Sequence, residues 1–209
     1  MQLMTEIAKP VLDKEALESI FQKDPTLSFL LIKFINNPLV NKSHKIGSIR
    51  HALNYLGEVM VKRFVAIISL AGLNSDKPNE LLNLSLSRAK YCELVDATIA
   101  GESDAMSAFL VGLFSLIDVI LDKSMSSLLV SLELDERITQ AIVEEDGEYW
   151  FILATAKAIE SGDWSSLFKH SLDLNIPKEQ LFQIHRESVR WQNTMIQAIS
   201  PHYPTTQVR

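Results

Sequence analysis

Three observations predict an all-α fold. Apolar residues recur at three- and four-residue steps in nearly every segment, a spacing that gathers them on one face of a helix. No stretch sustains the period-2 alternation of a half-buried strand. Helix-starting and helix-stopping residues follow one another at helix-length intervals.

Taken in order, Asp13 is predicted to cap a helix running to Lys23, with Leu17, Ile20 and Phe21 on its inner face. Asp24-Pro25 opens the next: the carboxylate accepts from free backbone N–H groups, and proline fits the first helical position. Leu27, Leu30, Leu31, Phe34 and Ile35 form its stripe, and Asn36-Asn37-Pro38 ends it. After a polar loop, Ser48 caps a helix carrying Ile49, Ala52, Leu53 and Leu56, which Gly57 stops. Glu58–Ala71 is apolar enough to be buried, and Gly72 terminates it. A long helix is predicted over Pro78–Ala100, closed by Gly101, and an apolar central helix over Asp104–Leu121. Shorter helices follow at Ser124–Ser131 and, capped by Asp135, up to Glu145. Gly147 and Gly162 bracket a helix over Glu148–Ser161, and two more cover Trp164–Leu174 and Pro177–Ile199. Trp150, Trp164, Trp191, Phe151 and Phe168 are expected to pack these last helices together. The final helix is expected to close the bundle or to dock on another chain.

At 209 residues and 47% hydrophobic, the chain can bury a core without disulfides or metal. The single cysteine, Cys92, has no internal partner and lies among apolar residues, which predicts a buried thiol and a reducing, cytoplasmic setting. A net charge of -6 argues against general nucleic-acid binding, which relies on lysine and arginine. The apolar runs are too short to span a bilayer, so no membrane partner is expected.

Asp24-Pro25-Thr26-Leu27, followed by Leu30-Leu31-Ile32-Lys33-Phe34-Ile35-Asn36-Asn37, resembles the opening signature of HDOD domains, the HD-related output domains of bacterial signalling proteins. Ile46-Gly47-Ser48-Ile49-Arg50-His51-Ala52-Leu53-Asn54-Tyr55-Leu56-Gly57 resembles the next. The resemblance runs from about Leu3 to Trp164 and implies a multi-helix HD-domain-like bundle. It suggests an HDOD-like domain over residues 1–165, a C-terminal helical extension over 166–200 packed on it, and a flexible tail at 201–209. Ser85–Leu94, Phe109–Asp118 and Ala158–Trp164 look closest to the C-terminal half of two-part EAL-HDOD proteins of cyclic di-GMP signalling.

The same resemblance marks Ser115 and Leu116 as vacated metal-ligand positions, because HD hydrolases carry a metal-binding His-Asp pair there. Glu144-Glu145-Asp146 stands where related domains often carry a His pair, and the preceding long helix holds no histidine. His44, His51, His170, His185 and His202 are scattered, with no i,i+4 pair. Asp118, Asp122, Glu93 and Asp96 are a carboxylate set suited to a hard cation, weighed against charges facing water. Lys42, His44, Lys45, Ser48 and Arg50 surround a predicted helix N-terminus and are candidates for holding a phosphate, weighed against a solvated loop.

The expectation is therefore a non-catalytic signal-transduction module. It would bind a protein partner or regulate an attached EAL domain, with no catalytic residues, no metal and no cofactor. The alternatives are the accessory half of a cyclic di-GMP phosphodiesterase, a degenerate HD phosphohydrolase, or a nucleotide-sensing domain. The residues assign no oligomeric state.

Overall fold

Two aspartates start the fold. Asp13 Oδ1 accepts from the backbone N–H groups of Glu15 (3.1 Å) and Ala16 (2.9 Å), opening α1 (Lys14–Lys23). Asp24 Oδ1 accepts from Thr26 (2.8 Å) and Leu27 (3.1 Å), opening α2 (Pro25–Ile35) with proline at its first position. The computed structural model describes residues 3, 6, 12–37, 40–41, 45–73, 79–100, 105–131 and 134–199. Among these the regular elements are all helical: α3 (Ile49–Leu73), α4 (Asn79–Ala100), α5 (Ala105–Phe114), α6 (Ile117–Leu121), α7 (Met125–Ser131), α8 (Glu136–Thr139), a π-helical turn (Gln140–Glu144), α9 (Glu148–Ser161), α10 (Trp164–Asp173) and α11 (Lys178–Ile199). The all-α expectation holds. None of the described helices is long and apolar enough to cross a membrane. Pro78, Gly101, Asp104 and the tail 201–209 lie outside the described residues.

Contacts gather into two units, residues 1–69 with 193–209, and residues 70–192. In the first, Phe64 of α3 lies 4.7 Å from Phe34 and 6.1 Å from Phe21, ring centre to ring centre. All three rings are buried, as are Leu17, Leu31, Ile35 and Val61. Each such side chain contributes about 1.5–3 kcal/mol of burial. Asn36 fastens the end of α2 to the following loop: its Nδ2 donates to Ile46 O (2.8 Å) and its Oδ1 accepts from Ile46 N (2.9 Å). Gly57 has φ +69° and ψ 173°, so the run Ile49–Leu73 kinks there, at the stop the sequence predicts.

The second unit is organised by α4 and α5. A Cβ placed on Gly112 would sit 2.3 Å from Arg88 O and 2.5 Å from Ala89 N, both backbone atoms. Glycine is what lets the two helices touch backbone to backbone. Tyr91, Cys92 and Val95 of α4, Val111 of α5, and Ile152, Leu153 and Ala156 of α9 form its buried core with Leu167 and Leu181. Inside it, the Tyr91 hydroxyl donates to Thr155 Oγ1 (2.9 Å), which donates to Ile152 O (2.7 Å). Both of these buried hydroxyls are thereby satisfied.

The sequence reading is corrected in two places. The apolar central helix is broken: α5 ends at Phe114, and α6 restarts at Ile117 with Leu116 at φ -130°, ψ 13°. Ser115 Oγ donates to Gly112 O (2.8 Å), taking a carbonyl that the helical ladder would otherwise use. The C-terminal aromatics also do not all pack inward. Trp150 and Trp191 are half-buried, the latter edge-on to Phe109 at 6.1 Å. Trp164 does join α10 to α11 by meeting Phe182 edge-on at 5.8 Å, but it and Phe168 are more than half exposed, and the inner face of α10 is supplied by Leu167 and Ser171. Helix α11 closes the second unit with Leu181, Ile184, Ser188 and Gln192, all buried.

Candidate functional site

The break between α5 and α6 places Ser115 in a buried position facing α4. Its hydroxyl oxygen lies 3.1 Å from Arg88 Nη1, which donates to it. Gly112 makes this meeting possible, since the close approach of α5 to Arg88 sits one turn before Ser115. The Arg88 guanidinium is then clamped by Glu160 of α9. Nε lies 3.0 Å from both carboxylate oxygens, and Nη2 lies 2.6 Å from Oε2. The two side chains are only 9% and 17% exposed, so this is a shielded, charge-assisted pair. Three helices, α4, α5 and α9, thus converge on one cation supplied by the protein itself.

That arrangement decides whether a metal fits. A metal of the HD type needs imidazole and carboxylate donors. Leu116 has no donor atom, and Ser115 spends its hydroxyl on Gly112 and Arg88. A fixed guanidinium 3.1 Å from Ser115 repels a second cation at the same place. The residues do not fit the ion.

The other candidates are dispersed. Glu93 and Asp96 are buried on α4 rather than facing water, and Glu93 Oε1 accepts from Lys90 Nζ at 2.9 Å. Lys90 also sits 5.7 Å over the Trp191 ring, so the cation that pairs with Glu93 is itself packed against α11. Asp118 is half-buried and Asp122 is an exposed, left-handed helix end. Among the described residues no three His, Cys, Asp or Glu side chains gather in a metal-binding group. Of the histidines, His51 is exposed, while His170 and His185 are half-buried on α10 and α11; His44 and His202 lie outside the described residues. Burial lowers His185 below the usual imidazole range against the opposing pull of Glu160.

Of the phosphate candidates, Lys42 and His44 lie outside the described residues. Lys45, Ser48 and Arg50 are exposed. Ser48 Oγ accepts from His51 N (3.3 Å), so it caps α3 as predicted. Arg50 Nε donates to Glu18 Oε2 (2.8 Å), and that hydrogen bond holds the guanidinium above its ordinary range. Cys92 is fully buried and desolvation pushes its thiol well up, as expected of a structural cysteine. The residues that sequence reasoning missed are Arg88 and Glu160. An arginine among Leu86, Ala89 and Cys92 is a readable signal, but nothing in the sequence joins it to an acid 72 residues later.

The HDOD domain family matches residues 1–144, more than two thirds of the chain. The chain belongs to the HDOD family. Cyclic di-GMP phosphodiesterase CdgJ of Vibrio cholerae is 34% identical over 191 residues, covering 91% of this chain and 44% of that protein. YuxH of Bacillus subtilis is 29% identical over 200 residues, covering 94% of this chain and 48% of that one. This HDOD chain therefore spans less than half the length of these relatives. Two solved structures share its fold. One is provisionally described as a signal transduction protein from Marinobacter aquaeolei VT8, with TM-score 0.68, 13% identity, and coverage of 95% of this chain and 57% of that one. The other is provisionally described as a metal-dependent phosphohydrolase from Shewanella amazonensis SB2B, with TM-score 0.62, 12% identity, and coverage of 96% and 90%. Glu160 lies beyond the HDOD match, so the Arg88–Glu160 pair ties the family's helices to the segment that follows them.

Proposed function

We propose that this HDOD chain is a non-catalytic regulatory module of cyclic di-GMP signalling, acting by binding a protein partner or a phosphodiesterase domain of the kind found in its relatives. The observation that carries this reading is the Arg88 guanidinium, locked by Glu160 and hydrogen-bonded to Ser115. A site built this way holds three helices together and offers neither a metal nor a nucleophile to a phosphodiester. Similarity to CdgJ over most of this chain supports the cyclic di-GMP setting. Reading the chain as a degenerate phosphohydrolase or a nucleotide sensor has less support, because the Ser115 and Arg50 side chains are already committed within the protein.

The test has two arms. The purified chain is assayed against cyclic di-GMP and a generic phosphodiester, with and without Mn²⁺, alongside elemental analysis. No turnover and no stoichiometric metal is the expected result. The chain is then titrated into a cyclic di-GMP phosphodiesterase domain, and a change in that enzyme's rate is expected. Metal-dependent turnover by the chain alone, or the absence of any effect on partners, overturns the reading.

A further inference from the structure

An open cavity of about 680 Å³ lies within the second unit, bounded by the ends of α4 and α10, by Arg137 of α8 and by the start of α9. Sites that hold small organic molecules have volumes of about 300–1,000 Å³. Ile99, Phe151, Ile152 and Leu174 give this cavity an apolar wall. Four acids, Asp96, Asp146, Glu148 and Asp173, line it against one base, Arg137. Arg137 does not offset them, because its Nε is also held 3.0 Å from Asp135, which is not part of the wall.

Two of these acids stand where helix chemistry disfavours them. The C-terminal end of a helix carries partial negative charge and favours cations. Asp173 is the last residue of α10, and Asp96 lies one turn before the end of α4 and is only 6% exposed. Each puts a carboxylate beside the negative end of its helix, and both face the same cavity. Helix ends and side chains together make the field in the cavity negative. The wall also shows how a cation is held there. The Arg137 guanidinium sits 5.6 Å over the Tyr149 ring and 3.7 Å from Glu148, so one organic cation already rests between an aromatic face and an acid.

We propose that this cavity binds a small organic cation, an ammonium or guanidinium carried on an apolar body. The charged head meets the carboxylates, and the body covers Phe151, Ile152 and Leu174. A carboxylate accepts several hydrogen bonds at once, so Asp96 takes a proton of the ligand in addition to its contacts within the protein. A metal ion suits the cavity less well. Among the described residues no three acids, histidines or cysteines gather closely enough to hold one, so the carboxylates surround a space wider than an ion. The same negative field repels an anionic nucleotide such as cyclic di-GMP. Binding here is independent of the regulatory reading above: the cavity fills or stays empty whether or not the chain alters a phosphodiesterase.

The probe is 2-phenylethylammonium, with 2-phenylethanol as its neutral isostere. Each is titrated into the full chain at low salt, followed by calorimetry and by amide NMR. One amine per chain is expected, with Kd on the order of 1 mM for so small a ligand. The shifted amides are expected at Asp146, Gly147 and Glu148. The alcohol is expected to bind roughly 10-fold more weakly or worse, because it lacks the charge-assisted hydrogen bond. Asp96→Asn is expected to weaken the amine by a similar factor. Asp173→Lys serves if Asp96→Asn does not fold, since lysine suits the last position of a helix. No saturation by about 50 mM amine, equal binding of the alcohol, or unchanged affinity in a folded variant overturns the proposal. So does binding of tetralysine without binding of the amine, which assigns the acids to a protein partner instead.

Discussion

Replacing Arg88 by methionine keeps the aliphatic stem and removes the charge at the centre of the α4–α5–α9 junction. The loss includes contacts of 2.6 and 3.0 Å to Glu160 and one of 3.1 Å to Ser115. Glu160 is left as a carboxylate only 17% exposed, with its counter-ion gone. Removing one member of a buried pair costs about 3–5 kcal/mol, and because Glu160 keeps some contact with water the lower end, about 3 kcal/mol, is expected. At about 2–4 °C per kcal/mol for a chain of this size, Tm falls by about 6–12 °C. The double variant Arg88→Met, Glu160→Leu removes the stranded charge together with its partner, and so recovers most of that loss. Thermal and urea melts followed by circular dichroism measure both. A single variant losing less than about 1 kcal/mol, or a double variant as unstable as the single, would refute the claim that the junction is an electrostatic clamp.

Gly112→Ala drives a methyl group into the α4 backbone at Arg88 and forces the helices apart, at a cost of about 1–3 kcal/mol or more, read from urea melts. His185 provides a pH test: burial lowers its proton affinity in the folded chain, so the unfolded chain takes up the proton first as pH drops below about 6.5. Stability is therefore expected to decline from pH 7 toward pH 5, and His185→Gln should flatten that decline in a Tm-against-pH series. Asp24→Ala removes the acceptor for two N–H groups at the start of α2 and is expected to cost about 1 kcal/mol in a denaturant melt.

Most of the helical framework was readable from local chemistry. Asp13, Asp24, Ser48 and Asp135 cap the helices they were expected to cap, because a cap is satisfied within three residues of itself. Ser115 and Leu116 were singled out by resemblance, and Arg88 stood in plain view on α4. The break in the central helix was not readable. It depends on Ser115 turning its hydroxyl onto Gly112 O while accepting from a different helix, and no periodicity encodes that choice. The outward face of α10 escaped for the same reason. An i,i+4 stripe of Trp164, Phe168 and Leu172 looks like a core face until Leu167 and Ser171 are seen to occupy the core side.

By itself, then, the order of residues determined the helical class, the places where helices start and stop, and the kinship with HDOD domains. Each of these rests on interactions between near neighbours or on an extended run of matching residues. Tertiary structure alone decided that Arg88 meets Glu160 and Ser115, and which of the C-terminal aromatics turn outward. Those outcomes depend on contacts between residues far apart in the chain, where the packing of helices rather than any local preference sets which side chains come within a few ångströms.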